Sequence, residues 1–419
     1  MKQSWFAEAK LGIFARWGIS SVRAIPHPRT SAPRQISYLE YMEQLDGFTA
    51  ARYNPEAWAE LFAATGAKYA VMTAKDHDGV ALWDTAFTEL SVTTATPAGR
   101  DLIRPFTQAL RRRGLRAGLH FSHQDGHLAS QTTARPSQLH RSATQSEPAA
   151  PQSQHDVGRQ ARTQRARMVD RRQIRELVEN YQPDLLRFDS TQEHGQERLW
   201  ADQLPDMIPA LGHEAVVIGR RDTDRGRDTP ELSTPIIPPD GPWELCYPLG
   251  GISGHHPATA HRPTVHALIR VFADTIASGG NLLLETSPRG DGTIPPEHTA
   301  QLTALGKWVR RNHDAIYTTT GLPYGHFDGP STLAKDRRTL YLICTRTPHG
   351  FIELRGLRNT IRRISVLSTG AALPYHVNNG LPDWGIPRII RIKPPPAPNV
   401  VAVELNGELG LHQSHGITG

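Results

Sequence analysis

The chain is poor in cysteine and lysine and has no long apolar run. Its 419 residues hold two cysteines, Cys246 and Cys344, too few and too far apart for a disulfide scaffold or a cysteine-rich zinc site. No uninterrupted apolar stretch reaches the ~18–20 residues that cross a bilayer, so a membrane association is not expected. Lysine supplies seven of the 47 basic residues and arginine the other 40, against 41 acidic ones. That skew reads as genomic base composition rather than a partner. Nucleic-acid binding needs basic residues clustered with aromatics, which only residues 163–173 approach, so no nucleic-acid partner is expected. A hydrophobic content of 38% with 21% charged residues excludes a wholly disordered chain. The N-terminus lacks the basic start, apolar core and small-residue cleavage site of a secretory leader. A cytoplasmic location is expected, or a secreted one if a leader has been removed.

Short apolar runs alternate with amphipathic stretches through most of the chain. Strands are expected at 11–17, 69–75, 115–122, 184–189, 215–219, 243–247 and 281–285. Helices are expected at 55–65, 105–113, 171–181, 264–277 and 296–312. This cadence points to a parallel sheet, and its repetition to a (β/α)8-type TIM barrel over residues 1–316. No glycine-rich nucleotide loop follows the first strand, which disfavours an open doubly wound sheet. Beyond residue 317 the pattern becomes short β-branched runs at 339–345, 350–354, 361–367, 388–392 and 400–405. A C-terminal β-sandwich is expected over 317–419. The Ser-, Gln-, Ala- and Pro-rich region 126–165 has no apolar periodicity and reads as a long mobile loop.

In a TIM barrel, polar residues at the C-terminal strand ends meet in one pocket. Those ends read Arg16-Trp17-Gly18, Lys75-Asp76-His77-Asp78-Gly79, His120-Phe121-Ser122-His123-Gln124-Asp125 and Arg187-Phe188-Asp189. Arg220-Arg221 and Asp228-Thr229-Pro230-Glu231 follow, and Trp243-Glu244 is taken to close the next strand. Ionisable groups so close to buried apolar runs are costly unless paired or used.

The chain resembles the α-L-fucosidases of glycoside hydrolase family 29, over roughly residues 4–320. The resembling blocks include Leu11-Gly12-Ile13-Phe14, Gly66-Ala67-Lys68-Tyr69, His77-Asp78-Gly79, Leu82-Trp83-Asp84 and Tyr181-Gln182-Pro183-Asp184. The most specific is Ser278-Gly279-Gly280-Asn281-Leu282-Leu283-Leu284 followed by Gly290-Asp291-Gly292-Thr293-Ile294-Pro295. The resemblance implies retaining hydrolysis of an α-glycoside by double displacement, with carboxylates ~5–5.5 Å apart. It implies Asp189 as nucleophile and Glu231 as acid/base, with Glu244 as the alternative acid/base. The partner is then a carbohydrate or glycosylated small molecule, and no cofactor is implied.

The pocket departs from the family pattern. Arg16 stands where the family has His in His-Trp-Gly, Asp76 replaces the first His of Lys-His-His-Asp-Gly, and Arg187 replaces a Trp two residues before the nucleophile. Neighbouring strands 1 and 2 predict an Arg16–Asp76 ion pair. Arg187 shares a strand face with Asp189, its one evident compensator. The substrate-binding set is therefore Arg16, Trp17, Glu40, Asp76, His77, His120, His123, Arg187 and Arg220, with a sugar specificity unlike that of ordinary fucosidases. His120, His123 and His127 have a spacing that zinc or copper can use, but the resemblance implies no metal. Two other classes remain open: a family member repurposed for elimination, isomerisation or transfer on a sugar-containing metabolite, and a non-catalytic sugar-binding homologue.

Overall fold

The computed structural model describes residues 4–25, 36–123, 152–188, 203, 206–219, 234–235, 238–239, 241–250, 262–322, 326–346, 350–380 and 387–412. Seven parallel strands form the first sheet: β1 (Leu11–Ala15), β2 (Tyr69–Lys75), β3 (Arg116–Phe121), β4 (Leu185–Phe188), β5 (Val216–Ile218), β6 (Glu244–Pro248) and β7 (Asn281–Thr286). Their order is β5-β4-β3-β2-β1-β7-β6. The sheet curls, because Val216 and Ile218 of β5 share an apolar cluster with Cys246 of β6 at the far edge. The expected TIM-type architecture is present.

Helices cover the convex face, and two of them start at a side-chain cap. Asn54 accepts from the Ala57 N–H ahead of helix Pro55–Thr65, whose Gly66 terminator has φ 96°. Thr264 does the same for helix Val265–Ala277. Helix Pro296–Arg311 packs on Pro55–Thr65 at Gly306, where a Cβ would lie 2.3 Å from the Ala64 carbonyl. One helix differs from expectation. The stretch read as a loop to residue 165 is helical from Gln152 onward, in one element, Gln152–Tyr181. Its Gln, Arg and Ala residues are good helix formers that carry no apolar stripe, so periodicity could not reveal it.

The C-terminal part is two antiparallel sheets. The first joins β8 (Thr319–Gly321), β9 (Ser331–Ala334), β10 (Thr339–Cys344), β12 (Ile361–Val366) and β15 (Asn399–Leu405) in the order β12-β15-β10-β9-β8. The second joins β11 (Ile352–Arg355), β13 (Tyr375–Asn378) and β14 (Ile389–Ile392). Strand alternation gives the larger sheet two apolar faces. Leu340, Leu342, Val401 and Val403 face Ile352, Leu354, Ile390 and Ile392 of the smaller sheet. Tyr341, Ile343, Val400 and Ala402 join the barrel core instead. Among the described residues no helix is long and apolar enough to cross a membrane.

Candidate active site

Strand parity decides which side chains enter the concave face of the barrel. Phe14, Tyr69, Val71, Leu185, Cys246 and Leu283 line it as apolar contacts. The same parity brings in Gly12 and Arg16 from the β1 line, Arg187 from β4, Glu244 from β6 and Glu285 from β7. Ordered along the strands, these polar groups fall into two tiers.

The upper tier lies at the C-terminal strand ends. Arg16 Nε is 3.6 Å from Asp76 Oδ2, and its Nη1 is 3.8 Å from Glu285 Oε2. The expected Arg16–Asp76 pair is thus formed, with Glu285 as a second carboxylate that sequence reasoning did not assign. An irregularity on β2 between Thr73 and Lys75 sets this geometry. It turns Lys75 outward, where Nζ donates to Asp170 of helix Gln152–Tyr181 at 2.8 Å, and returns Asp76 to the inside. Asp76 Oδ1 accepts from the His77 N–H at 2.8 Å, and His77 Nδ1 lies 2.9 Å from Ser122 Oγ. Burial alone would raise the Asp76 pKa, but the Arg16 charge, with His77 and His120, holds it well below the carboxylate range. Its neighbour Asp78 moves the other way. Burial and then the Asp76 charge push it up to about 7, against hydrogen bonds from the Val80 N–H and the Tyr41 hydroxyl.

The lower tier lies at the barrel floor. Arg187 Nε is 3.5 Å from Glu244 Oε1, and the Tyr69 hydroxyl donates to Glu244 Oε2 at 2.7 Å. The guanidinium lies over the Phe14 ring, 5.4 Å from its centroid, and the His120 ring meets Phe14 edge-on at 5.3 Å. Gly12 makes room for this arrangement: a Cβ there would stand 2.3 Å from the Tyr69 ring. Burial, then the Glu244 charge, raises the Tyr69 pKa well above its ordinary value, which keeps the phenol a donor.

Several sequence expectations change here. Trp243-Glu244 does not close a strand; Glu244 is the first residue of β6, fully buried beside Tyr69, the first residue of β2. An acid/base must reach the leaving-group oxygen, so this floor position argues against Glu244 as the alternative acid/base. Arg187 meets Glu244, a carboxylate not expected as its partner, while Asp189 lies outside the described residues. Trp17 has outward parity with Ile13 and Ala15. Its indole is buried among Phe48, Tyr53 and Trp58, donates to the Arg289 carbonyl at 2.8 Å and cannot stack on a sugar. Glu40 is exposed on the short helix Tyr38–Met42, whose Tyr38 and Tyr41 hold Asp78. His120 and His123 are buried. Among the described residues no group of three or more His, Cys, Asp or Glu side chains could hold a metal. Asp189, Glu231 and Arg220 lie outside the described residues, as do Asp125, His127 and residues 251–261. Glu285 and Tyr69 were missed, although alternation against Leu283 and Val71 marks both as inward.

A curled parallel barrel with a ring of paired ionisable groups at its C-terminal strand ends defines an enzyme of the TIM-barrel class, backed by a β-sandwich. The family model described as Alpha-L-fucosidase matches residues 1–314, and the chain belongs to this family of retaining glycoside hydrolases, glycoside hydrolase family 29. It is similar to the tissue α-L-fucosidase of Rattus norvegicus, 28% identical over 348 residues, covering 75% of this chain and 70% of the rat enzyme. The human tissue α-L-fucosidase is 28% identical over 347 residues, covering 75% of this chain and 69% of its own. Among solved structures, α-L-fucosidase isoenzyme 1 from Paenibacillus thiaminolyticus aligns with TM-score 0.77 at 25% identity, covering 97% of this chain and 99% of that one. A Bacteroides thetaiotaomicron α-L-fucosidase, trapped as a covalent intermediate, shares the fold with TM-score 0.78 at 19% identity, over 97% of this chain and 96% of its own.

Proposed function

We propose that the chain hydrolyses an α-glycoside of a neutral sugar other than plain L-fucose, by double displacement with Asp189 as nucleophile and Glu231 as acid/base. The observation that carries the specificity is the pairing of both unusual arginines. Arg16 sits between Asp76 and Glu285, and Arg187 is drawn to Glu244. Ion pairs thus occupy positions where the family pattern has neutral imidazole and indole groups, so the donors and acceptors offered to sugar hydroxyls differ. Because each guanidinium already meets a carboxylate, the pocket favours a neutral sugar over an anionic conjugate. His77, oriented by Ser122, and the Arg16–Asp76 pair are the groups assigned to sugar hydroxyls, with His120, His123 and Arg220 around them.

A panel of p-nitrophenyl α-glycosides tests the reading. Turnover of the preferred sugar should exceed that of the α-L-fucoside, and Asp189→Asn should lose at least about 10^3-fold of it. A 2-fluoro-glycoside of that sugar should leave a covalent adduct on the Asp189 peptide. Robust turnover of the plain fucoside as best substrate overturns the specificity; full turnover by Asp189→Asn overturns the nucleophile.

A further inference from the structure

The rim of the barrel carries a cavity of its own. It is a cleft of about 470 Å3 at the starts of helices Pro55–Thr65 and Pro296–Arg311, lined by Arg52, Trp58, Leu61, Arg289, Ile294 and Thr299 among others. That volume suits a small organic ligand. We propose that this cleft is a leaving-group subsite, which takes an aglycone with an apolar body and an anionic group, a carboxylate or sulfate, held by Arg289 and Arg52. This deepens the proposed function and rests on its reading of the chain as a glycosidase. The sugar in the barrel stays neutral, because Arg16 and Arg187 each meet a carboxylate there. The anion belongs to the leaving group, outside the barrel.

The place of the cleft follows from the topology. Its two helices follow the adjacent strands β1 and β7, so their first turns stand at the C-terminal strand ends, with the mouth. Arg289 comes four residues after Glu285, which meets Arg16 in the upper tier, so at most about 14 Å of chain separates them. The Trp17 indole is the partition: it packs against Trp58 at 5.2 Å and donates to the Arg289 carbonyl at 2.8 Å. The wall is fixed in advance. The Arg52 N–H donates to the Asp291 carbonyl at 2.7 Å and the Ala50 N–H to the Gly290 carbonyl at 3.0 Å. Gly292, at φ 89°, sits where a Cβ would stand 2.6 Å from the Tyr53 Cα. A site built before binding loses less freedom when it binds.

The charge of the cleft has a traceable origin. The first-turn carboxylates of its helices are engaged elsewhere, Glu56 by Arg112 and Glu297 by Arg262. Asp291 accepts from the Thr293 N–H and hydroxyl, and its other oxygen lies 3.6 Å from Arg52. Among the described residues no carboxylate comes within ion-pair distance of the exposed Arg289 guanidinium. Trp58 is buried and Leu61 and Ile294 half-buried, whereas both arginines are exposed. An apolar floor under a cationic rim is the complement of an amphipathic anion, not of a bare sugar.

Biphenylyl glycosides of the preferred sugar, with a carboxylate or a carboxamide on the distal ring, test this, because that substituent barely alters the leaving phenol. The wild type should show a KM about 10-fold lower for the carboxylate at similar kcat, and added salt should shrink the difference. Arg289→Met should bring the ratio of the two kcat/KM values to about one. Arg289→Glu should favour an aglycone with an aminomethyl group on the distal ring instead. Arg362→Met, at an exposed arginine of the sandwich strand Ile361–Val366, should keep the wild-type ratio. A wild-type ratio near one, or a preference that survives Arg289→Met, overturns the subsite. An equal drop in Arg362→Met also overturns it, in favour of general charge steering. Calorimetry with the free carboxylated biphenylol separates this proposal from the reading it rests on. If the acid binds more tightly than its amide, loses that advantage in Arg289→Met, and no glycoside is turned over, the cleft stands and the glycosidase reading falls. Turnover of the glycosides with equal binding of acid and amide does the reverse.

Discussion

Two aspartates in one loop are driven in opposite directions by their surroundings. Asp76 meets Arg16 and stays ionised, whereas Asp78, buried and facing the Asp76 charge, is pushed up to about 7. An acid whose folded pKa exceeds its unfolded value of ~3.9 binds more protons when folded. Its contribution to stability is therefore complete below about pH 4 and is lost as pH rises through about 7. Asp76 has the reverse sign: its contribution is present above ~3.9 and is lost only in strong acid. Asp78→Asn retains an oxygen for the Val80 N–H and a group for Tyr41 while removing the titration. Thermal unfolding followed from pH 5 to 8 should show the wild type losing stability with rising pH relative to this variant. Parallel curves for the two proteins would show that Asp78 is already ionised throughout. The same scale explains which pocket residues were legible in the sequence. The Arg16–Asp76 pair follows from neighbouring strands. Trp17 and Glu285 follow strand parity rather than motif position: parity turns Trp17 outward with Ile13 and Ala15 and Glu285 inward to Arg16.

At the scale of elements, the strands and capped helices were readable because burial imposes a period on them: β2 and helix Pro55–Thr65 fall on their expected bounds. Helix Gln152–Tyr181 was readable only in its last turns, where Ile174, Leu177, Val178 and Tyr181 are buried. Its docking depends on polar contacts that no periodicity announces. Asp170 meets Lys75 with both side chains almost wholly buried, at 0% and 2% exposure for Lys75 and Asp170. Glu176 accepts from Trp83 Nε1 at 2.8 Å and from the Ala86 N–H, and Tyr181 donates to Asp101. Breaking a buried ion pair from one side leaves the other charge uncompensated, at a cost of about 3–5 kcal/mol, whereas replacing both partners by apolar residues is often tolerated. Asp170→Ala should therefore destabilise by about 3–5 kcal/mol in denaturant unfolding, and Lys75→Met with Asp170→Leu by much less. Equal losses in the two variants would show that packing volume, not charge, holds the helix to β2.

For the whole molecule, the β-sandwich is a wall of the barrel core rather than a separate appendage. The five-stranded sheet spends one face on its partner sheet and the other on the barrel, with Tyr341, Ile343, Val400 and Ala402 buried in the same cluster as Ala315, Ile316 and Tyr317. Polar contacts stitch the same seam. Thr332 donates to the Ala315 carbonyl at 2.7 Å, Lys335 reaches Glu8 at 2.6 Å, and His266 contacts the Thr345 carbonyl. At Gly321 a Cβ would stand 2.0 Å from the Ala277 carbonyl that ends helix Val265–Ala277, so β8 approaches the barrel as closely as backbone allows. Two units sharing one core should unfold together. Seven of the eight tryptophans precede residue 317, so tryptophan fluorescence reports on the barrel while calorimetry reports on both units. Ile343→Ala removes a side chain that is 1% exposed and belongs to the sandwich by sequence but to the barrel by contact. It should cost about 2–5 kcal/mol and lower the fluorescence and calorimetric midpoints by the same amount. A fluorescence midpoint that stays put while a second calorimetric transition moves would mean that the seam is a contact between two independently folding domains.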